Sequence, residues 1–95
     1  MKTMISSEKT LQRRIINDLR RRRWLVYNMP PVVTGFPDVM ALKDGETIFL
    51  EIKKGDKGRT GYYQVKMART LRDAGFRHCF VKNYDEYERF IDERV

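Results

Sequence analysis

Asp44-Gly45 sits between two apolar runs, Val39-Met40-Ala41-Leu42 and Thr47-Ile48-Phe49-Leu50, and no other feature constrains the fold as much. Asp-Gly is a preferred two-residue hairpin loop, because both residues tolerate the positive φ that such a turn requires. With that loop, Lys43 pairs with Glu46 and Leu42 with Thr47, and counting down the ladder sets Asp38 directly opposite Glu51. Residues directly opposite share a face, with Cβ atoms about 5 Å apart. Strand alternation puts Lys53 on that face and Lys54 on the other.

Two carboxylates held side by side repel each other unless something neutralises them, and a hard divalent cation with oxygen ligands does this well. A blander reading has Asp38 opening a strand after Pro37, with Glu51 and Lys53 as a surface ion pair. The apolar pattern favours the first. Val39, Ala41, Ile48, Leu50 and Ile52 fall on one face; Met40, Leu42 and Phe49 fall on the other, beside the charged trio. A sheet apolar on both faces is covered on both by helices, which places the trio at a partly covered end.

Ninety-five residues suffice for a single domain, 1–95, with a modest core. Twenty basic residues against thirteen acidic ones leave a net charge of +7, which favours a polyanionic partner, nucleic acid ahead of acidic protein or membrane surface. The single cysteine, Cys79, lies in the run His78-Cys79-Phe80-Val81 and reads as a buried strand thiol. It permits no disulfide framework within the chain and no cysteine cluster for zinc. The opening MKTMISSEKT has no apolar signal region and no long apolar run occurs, so the cytoplasm is the default location.

A helix capped by Ser6 or Ser7 fits EKTLQRRIINDLRRRR, with Leu11, Ile15, Ile16 and Leu19 inward and Lys9, Arg13, Asn17 and Arg20 on its polar side. WLVY reads as a strand, with Trp24 and Tyr27 as strand core residues. The proline-rich loop NMPPVVTGFP, the hairpin and a basic loop, KKGDKGRTG, follow. A second helix fits YYQVKMARTLRDA, with Val65, Ala68 and Leu71 inward and Gly75 as its stop. RHCFV reads as a strand, and Asn83 with Glu86 forms a capping box for a last short helix packing through Tyr87, Phe90 and Ile91. The predicted fold is α/β, in the order α-β-β-β-α-β-α.

Pro37-Asp38 followed by Glu51-Ile52-Lys53 resembles the PD-(D/E)XK signature of the restriction-endonuclease-like nucleases. More narrowly, four features in order resemble the virus-type replication-repair nuclease (VRR-Nuc) domain. These are an early helix carrying Glu8, the tetrapeptide Gly35-Phe36-Pro37-Asp38, the triplet Glu51-Ile52-Lys53, and Gln64 opening the next helix. The resemblance runs from about Ser6 to Ile91, and no central residue departs from the pattern. It implies a restriction-endonuclease-like core, a mixed β-sheet flanked by helices. It also implies Mg²⁺- or Mn²⁺-dependent hydrolysis of DNA phosphodiesters. Stand-alone members of this size look phage-like, which would put the chain in a bacterial host. They are associated with homodimers that cut branched DNA, including four-way (Holliday) junctions.

On this resemblance Asp38, Glu51 and the Ile52 carbonyl are metal ligands, and Lys53 positions the attacking water and offsets developing charge. Lysine is protonated at neutral pH in water, so electrostatic and orienting roles are favoured over that of a base. Glu8 fits either a site role or simple complementation of the helix dipole. Gln64 fits a hydrogen bond to a lysine or phosphate, or an exposed helix position. Lys54, Lys57 and Arg59 leave the proposed site directly and suit phosphate contact. The Arg20–Arg23 run suits a helix C-terminus facing solvent. Tyr62 and Tyr63 fit either stacking on a base or packing the helix start, and His78 reads as structural. The other function class that fits the basic charge is a non-catalytic nucleic-acid-binding module, which gives no reason for Asp38 to face Glu51.

Overall fold

The computed structural model describes residues 7–53 and 61–93. Its elements are α1 (Ser7–Arg21), β1 (Leu25–Asn28), β2 (Val39–Lys43), β3 (Glu46–Ile52), α2 (Tyr62–Asp73), β4 (Arg77–Val81) and α3 (Tyr84–Asp92). This is the predicted α/β order. The four strands form one mixed sheet in the order β1-β2-β3-β4, antiparallel except for the parallel β3–β4 pair. The parallel pair requires a crossover, and α2 supplies it.

The hairpin has the predicted register, from Lys43↔Glu46 to Val39↔Leu50. Asp44 and Gly45 both take positive φ, at 51° and 82°, as a two-residue hairpin loop requires. On one face of the sheet, Val39, Ala41, Ile48, Leu50, Ile52 and Val81 pack with Leu11, Ile15, Ile16 and Leu19 of α1 and Tyr87 and Ile91 of α3. On the other, the Phe49 ring meets Phe36 and Phe76 edge to face, each at 5.6 Å between centroids. There α2 turns Ala68 and Leu71 inward. The stripe continues back to Gln64 by helical spacing. Val65 therefore lies outside it and is exposed, against its predicted inward position. Tyr27 is also exposed, at 50%: β1 is an edge strand, and only Val26 among its four residues is buried. Trp24 is buried as expected, just ahead of the strand. Cys79 is half-buried in β4 rather than fully enclosed.

Both long helices end in the same backbone arrangement. After α2, Gly75 takes φ 97° while Phe76 N–H bonds Leu71 carbonyl at 3.0 Å and Gly75 N–H bonds Arg72 carbonyl at 2.9 Å. After α1, Arg23 takes φ 77° while Trp24 N–H bonds Leu19 carbonyl and Arg23 N–H bonds Arg20 carbonyl, both at 3.0 Å. These are Schellman ends, with Trp24 and Leu19 packing together in the core. The first helix thus stops at Arg21, short of the predicted Arg23. Left-handed backbone strains a side-chain-bearing residue, so Arg23→Gly should stabilise the protein by about 0.5 to 1 kcal/mol. A urea midpoint unchanged or lowered by this substitution would contradict that account.

The α1 terminus carries a buried anchor that pattern reading passes over. Asp18, 5% exposed, accepts hydrogen bonds from Tyr87 hydroxyl (2.7 Å), Arg22 Nε (2.8 Å) and Arg21, joining α1 to α3. Burial works to raise its pKa. The hydrogen bonds from Tyr87 and Arg22, and the charges of Arg22 and Arg21, outweigh that and hold it below the ordinary carboxylate value. Arg22 also reaches Asp92 at 3.3 Å, so the arginine run is partly engaged rather than wholly solvated. At α3, Asn83 caps Glu86 N–H at 2.9 Å as predicted. The Glu86 carboxylate, however, accepts from Lys82 N–H at 2.7 Å, one residue before the position a reciprocal box would use. Among the described residues, no helix is long and apolar enough to cross a membrane.

Candidate active site

Asp38 immediately precedes β2, and the ladder holds it from both sides. Met29 N–H donates to its carbonyl at 2.8 Å, extending the β1–β2 pairing by one step. Its side-chain Oδ2 accepts from the Ile52 N–H at 2.9 Å, across the β2–β3 pair. The Ile52 peptide is therefore fixed beside Asp38, while the Ile52 side chain is fully buried and leaves only backbone atoms for a ligand role. This bond ties the start of one hairpin strand to the end of the other, a detail that strand periodicity alone does not encode.

Glu51 lies next to Ile52 in β3 and is 3% exposed. Its Oε2 accepts a hydrogen bond from Gln64 Nε2 at 2.8 Å and lies 3.8 Å from Lys53 Nζ. Among the described residues its Oε1 is buried without a hydrogen-bond partner. An unsatisfied carboxylate oxygen in such a place is costly unless a cation or proton meets it. Burial pushes the Glu51 carboxyl up to about 8; the charge of Asp38 adds to the shift, Lys53 opposes it, and the charge of Glu8 adds a little more. Glu8 itself is exposed in the first turn of α1, close enough for Glu51 to feel its charge.

Gln64 orients this arrangement. Its Oε1 accepts from Gly61 N–H at 3.0 Å, closing the first turn of α2, and its amide nitrogen is thereby turned toward Glu51. Gln64 thus sits on the inner side of α2 rather than at a solvated position. Lys53 is held at the end of β3 by its N–H, which donates to Val81 carbonyl at 2.7 Å.

The loop before Asp38 rests on the same helix turn. Gly35 has φ 82°, and a Cβ placed on it would lie 2.3 Å from the Tyr63 carbonyl oxygen and 2.5 Å from its carbon. The backbone contact explains in packing terms why glycine stands in Gly35-Phe36-Pro37-Asp38.

The structure therefore gathers Asp38, Glu51, Ile52, Lys53 and Gln64, with Glu8 at the margin. Lys54, Lys57 and Arg59 lie outside the described residues. Tyr62 and Tyr63 are exposed and meet edge to face at 5.1 Å, so neither belongs to the core. His78 is buried against Phe80, and burial followed by the Arg72 charge lowers its pKa to about 4, in keeping with a structural residue.

Among the described residues, no three His, Cys, Asp or Glu side chains are grouped to hold a metal ion. The donor set is instead two carboxylates and a backbone carbonyl. That suits Mg²⁺, which is commonly held by one or two carboxylates and keeps several waters. The unpartnered Glu51 Oε1 is the local sign of fit.

No protein-family model matches the chain, and no curated protein matches it. Among solved structures, one titled "VRR_NUC domain" superposes with a TM-score of 0.82 at 20% sequence identity. The match covers 93% of this chain and 97% of that one. The restriction-endonuclease-like core foreseen from the PD-(D/E)XK pattern is thus present, and the chain has the fold of a VRR-Nuc domain.

Proposed function

We propose that this protein is a divalent-metal-dependent DNA endonuclease that acts as a homodimer on branched DNA such as four-way junctions. The observation that carries the reading is the buried Glu51 Oε1 beside Asp38, unpartnered among the described residues, with Lys53 on the same face. Asp38, Glu51 and the Ile52 carbonyl would hold Mg²⁺ or Mn²⁺. When bound, the cation would supply Lewis-acid polarisation of the phosphodiester. The reaction is hydrolysis: water adds in line to phosphorus, and the bond to the leaving oxygen breaks. Lys53 offsets negative charge growing on the phosphate and helps orient the water. Gln64 holds Glu51 by one oxygen and leaves the other for the cation.

The dimer and the branched substrate rest on size and charge. One small domain offers little surface to recognise two DNA arms, whereas a two-fold pair carries two sites and twice the +7 charge. The test is incubation with labelled linear, flapped and four-way-junction DNA, with and without Mg²⁺ or Mn²⁺, alongside light scattering. Metal-dependent cutting that favours the junction is expected from a dimer. Binding without cutting under all conditions would leave the non-catalytic binding module as the better reading.

Lys53 separates chemistry from affinity. Lys53→Ala should lower single-turnover cleavage by about 10²- to 10³-fold, in the range of one lost electrostatic donor. Junction affinity should fall only modestly, with the salt slope reduced by about one. Matching losses in cleavage and binding would remove Lys53 from the chemical step.

A further inference from the structure

We propose that the outer face of α1 is a second nucleic-acid contact surface, a groove that holds a phosphodiester backbone beyond the reacting phosphate. This rests on the nuclease reading of the site and adds a path for the substrate. A cavity of about 320 Å³ runs between α1 and the β1 edge, lined by Lys9, Arg13 and Arg20 and by the amides of Gln12, Asn17 and Asn28. Among the described residues no carboxylate lines it. Lys9, Arg13 and Asn17 recur one turn apart and Arg20 follows on the same side, so the cations form one ridge. At 1.5 Å per residue the ridge spans about 17 Å, the axial length of about five steps of a duplex at 3.4 Å each.

The other cations of α1 and of the turn that ends it are already engaged. Arg21 and Arg22 pair with Asp18, and Arg14 lies over the Tyr84 ring at 3.8 Å. Lys9 and Arg13 make no ion pair among the described residues and are exposed. Gln12 donates to Asn28 Oδ1 at 2.8 Å, which ties helix to strand and fixes the groove wall. Arg20 is steadied by a 3.3 Å bond to the Val26 carbonyl. Side-chain amides beside arginine and lysine supply the donors that phosphate and sugar oxygens accept. Asn28, which lines the groove, pairs with Val39, and its neighbour Met29 bonds the Asp38 carbonyl, so the groove starts at the margin of the site.

The test measures binding of a short labelled DNA duplex in EDTA across a salt series. It compares the parent with Lys9→Gln/Arg13→Gln and with Lys66→Gln/Arg69→Gln, a control of equal charge on exposed positions of α2. Glutamine keeps helix propensity, and circular dichroism verifies folding. The groove pair should bind about tenfold more weakly at low salt, with a salt slope smaller by nearly two. The control pair should lose less than about threefold. Equal losses in the two pairs, or no duplex binding by the parent, overturn the groove. Because cleavage plays no part in the readout, the two readings fail separately. A parent that binds through the groove yet cuts nothing loses the nuclease reading alone, and a metal-dependent nuclease with equal losses loses the groove alone.

Discussion

Glu51→Gln should abolish DNA cleavage while making the metal-free protein more stable. The carboxylate is a proposed ligand, and losing a contact to the cation forfeits several kcal/mol of transition-state stabilisation, so the rate should fall by about three orders of magnitude. Stability moves the other way. Burial and Asp38 raise the Glu51 pKa to about 8, so the folded protein binds a proton there more tightly than the unfolded chain does. Its contribution is complete below the unfolded value, near 4.5, and is lost as pH rises through about 8. Glutamine cannot ionise and escapes that loss, a gain on the order of 2 to 4 kcal/mol above pH 8.

His78 has the opposite sign. Its folded pKa of about 4 lies below the ordinary 6.5, so its contribution is present above 6.5 and is lost as pH falls toward 4. Between pH 8 and 6.5, Glu51 is the one of the two that titrates. Over that interval the metal-free parent should gain stability on acidification, and Glu51→Gln should stay flat. Mn²⁺ at pH 8 should stabilise the parent and leave the variant unmoved. Urea titrations at several pH values decide this, and parallel pH profiles for both proteins would sink the assignment of Glu51 as a strained, cation-seeking carboxylate.

The second large effect is expected at Gly35, with Gly45 as its control. Both take φ 82°, so alanine at either meets the same left-handed backbone penalty of about 1 kcal/mol. Nothing lies within 4 Å of a Cβ at Gly45, whereas at Gly35 it would meet the Tyr63 carbonyl at 2.3 Å. Main chain on both sides cannot swing away like a side-chain tip. Gly35→Ala should therefore cost about 2 to 5 kcal/mol in total, the sum of strain and overpacking. Any folded fraction must part the loop from α2, moving Asp38 away from Gln64, so its specific activity should fall as well. Equal urea midpoints for the two variants would show that the close approach carries no energy.

What could be read beforehand divides along physical lines. Strand pairing was legible because a two-residue loop and a period of two leave one register, and Asp38, Glu51 and Lys53 follow from counting. The end of α1 was not, because an arginine occupies the left-handed position that glycine marks after α2. Tyr27 misled because a β-branched and aromatic run indicates strand without saying whether it is central or edge. Val65 misled because an apolar residue adjacent to the inward stripe mimics it, while the polar Gln64 takes the inner position to reach Glu51. Asp18 is not legible by residue type, because a charge in a basic helix ordinarily faces solvent. Its position seven residues after Leu11 on the buried face was the available signal.

The parallel partner of β3 also sets the order of events in time. Lys53 hangs from Val81 by its N–H, and Asp18 finds the Tyr87 hydroxyl only when α3 has arrived. Small domains fold as units, and during synthesis the N-terminal portion emerges first. The hairpin emerges first and is at best marginally stable alone, and Lys53 lacks its strand neighbour and Asp18 its buried partner until β4 and α3 follow. A nascent chain therefore carries the acidic pair before it carries a finished site, and cutting competence should appear only once β4 and α3 have emerged.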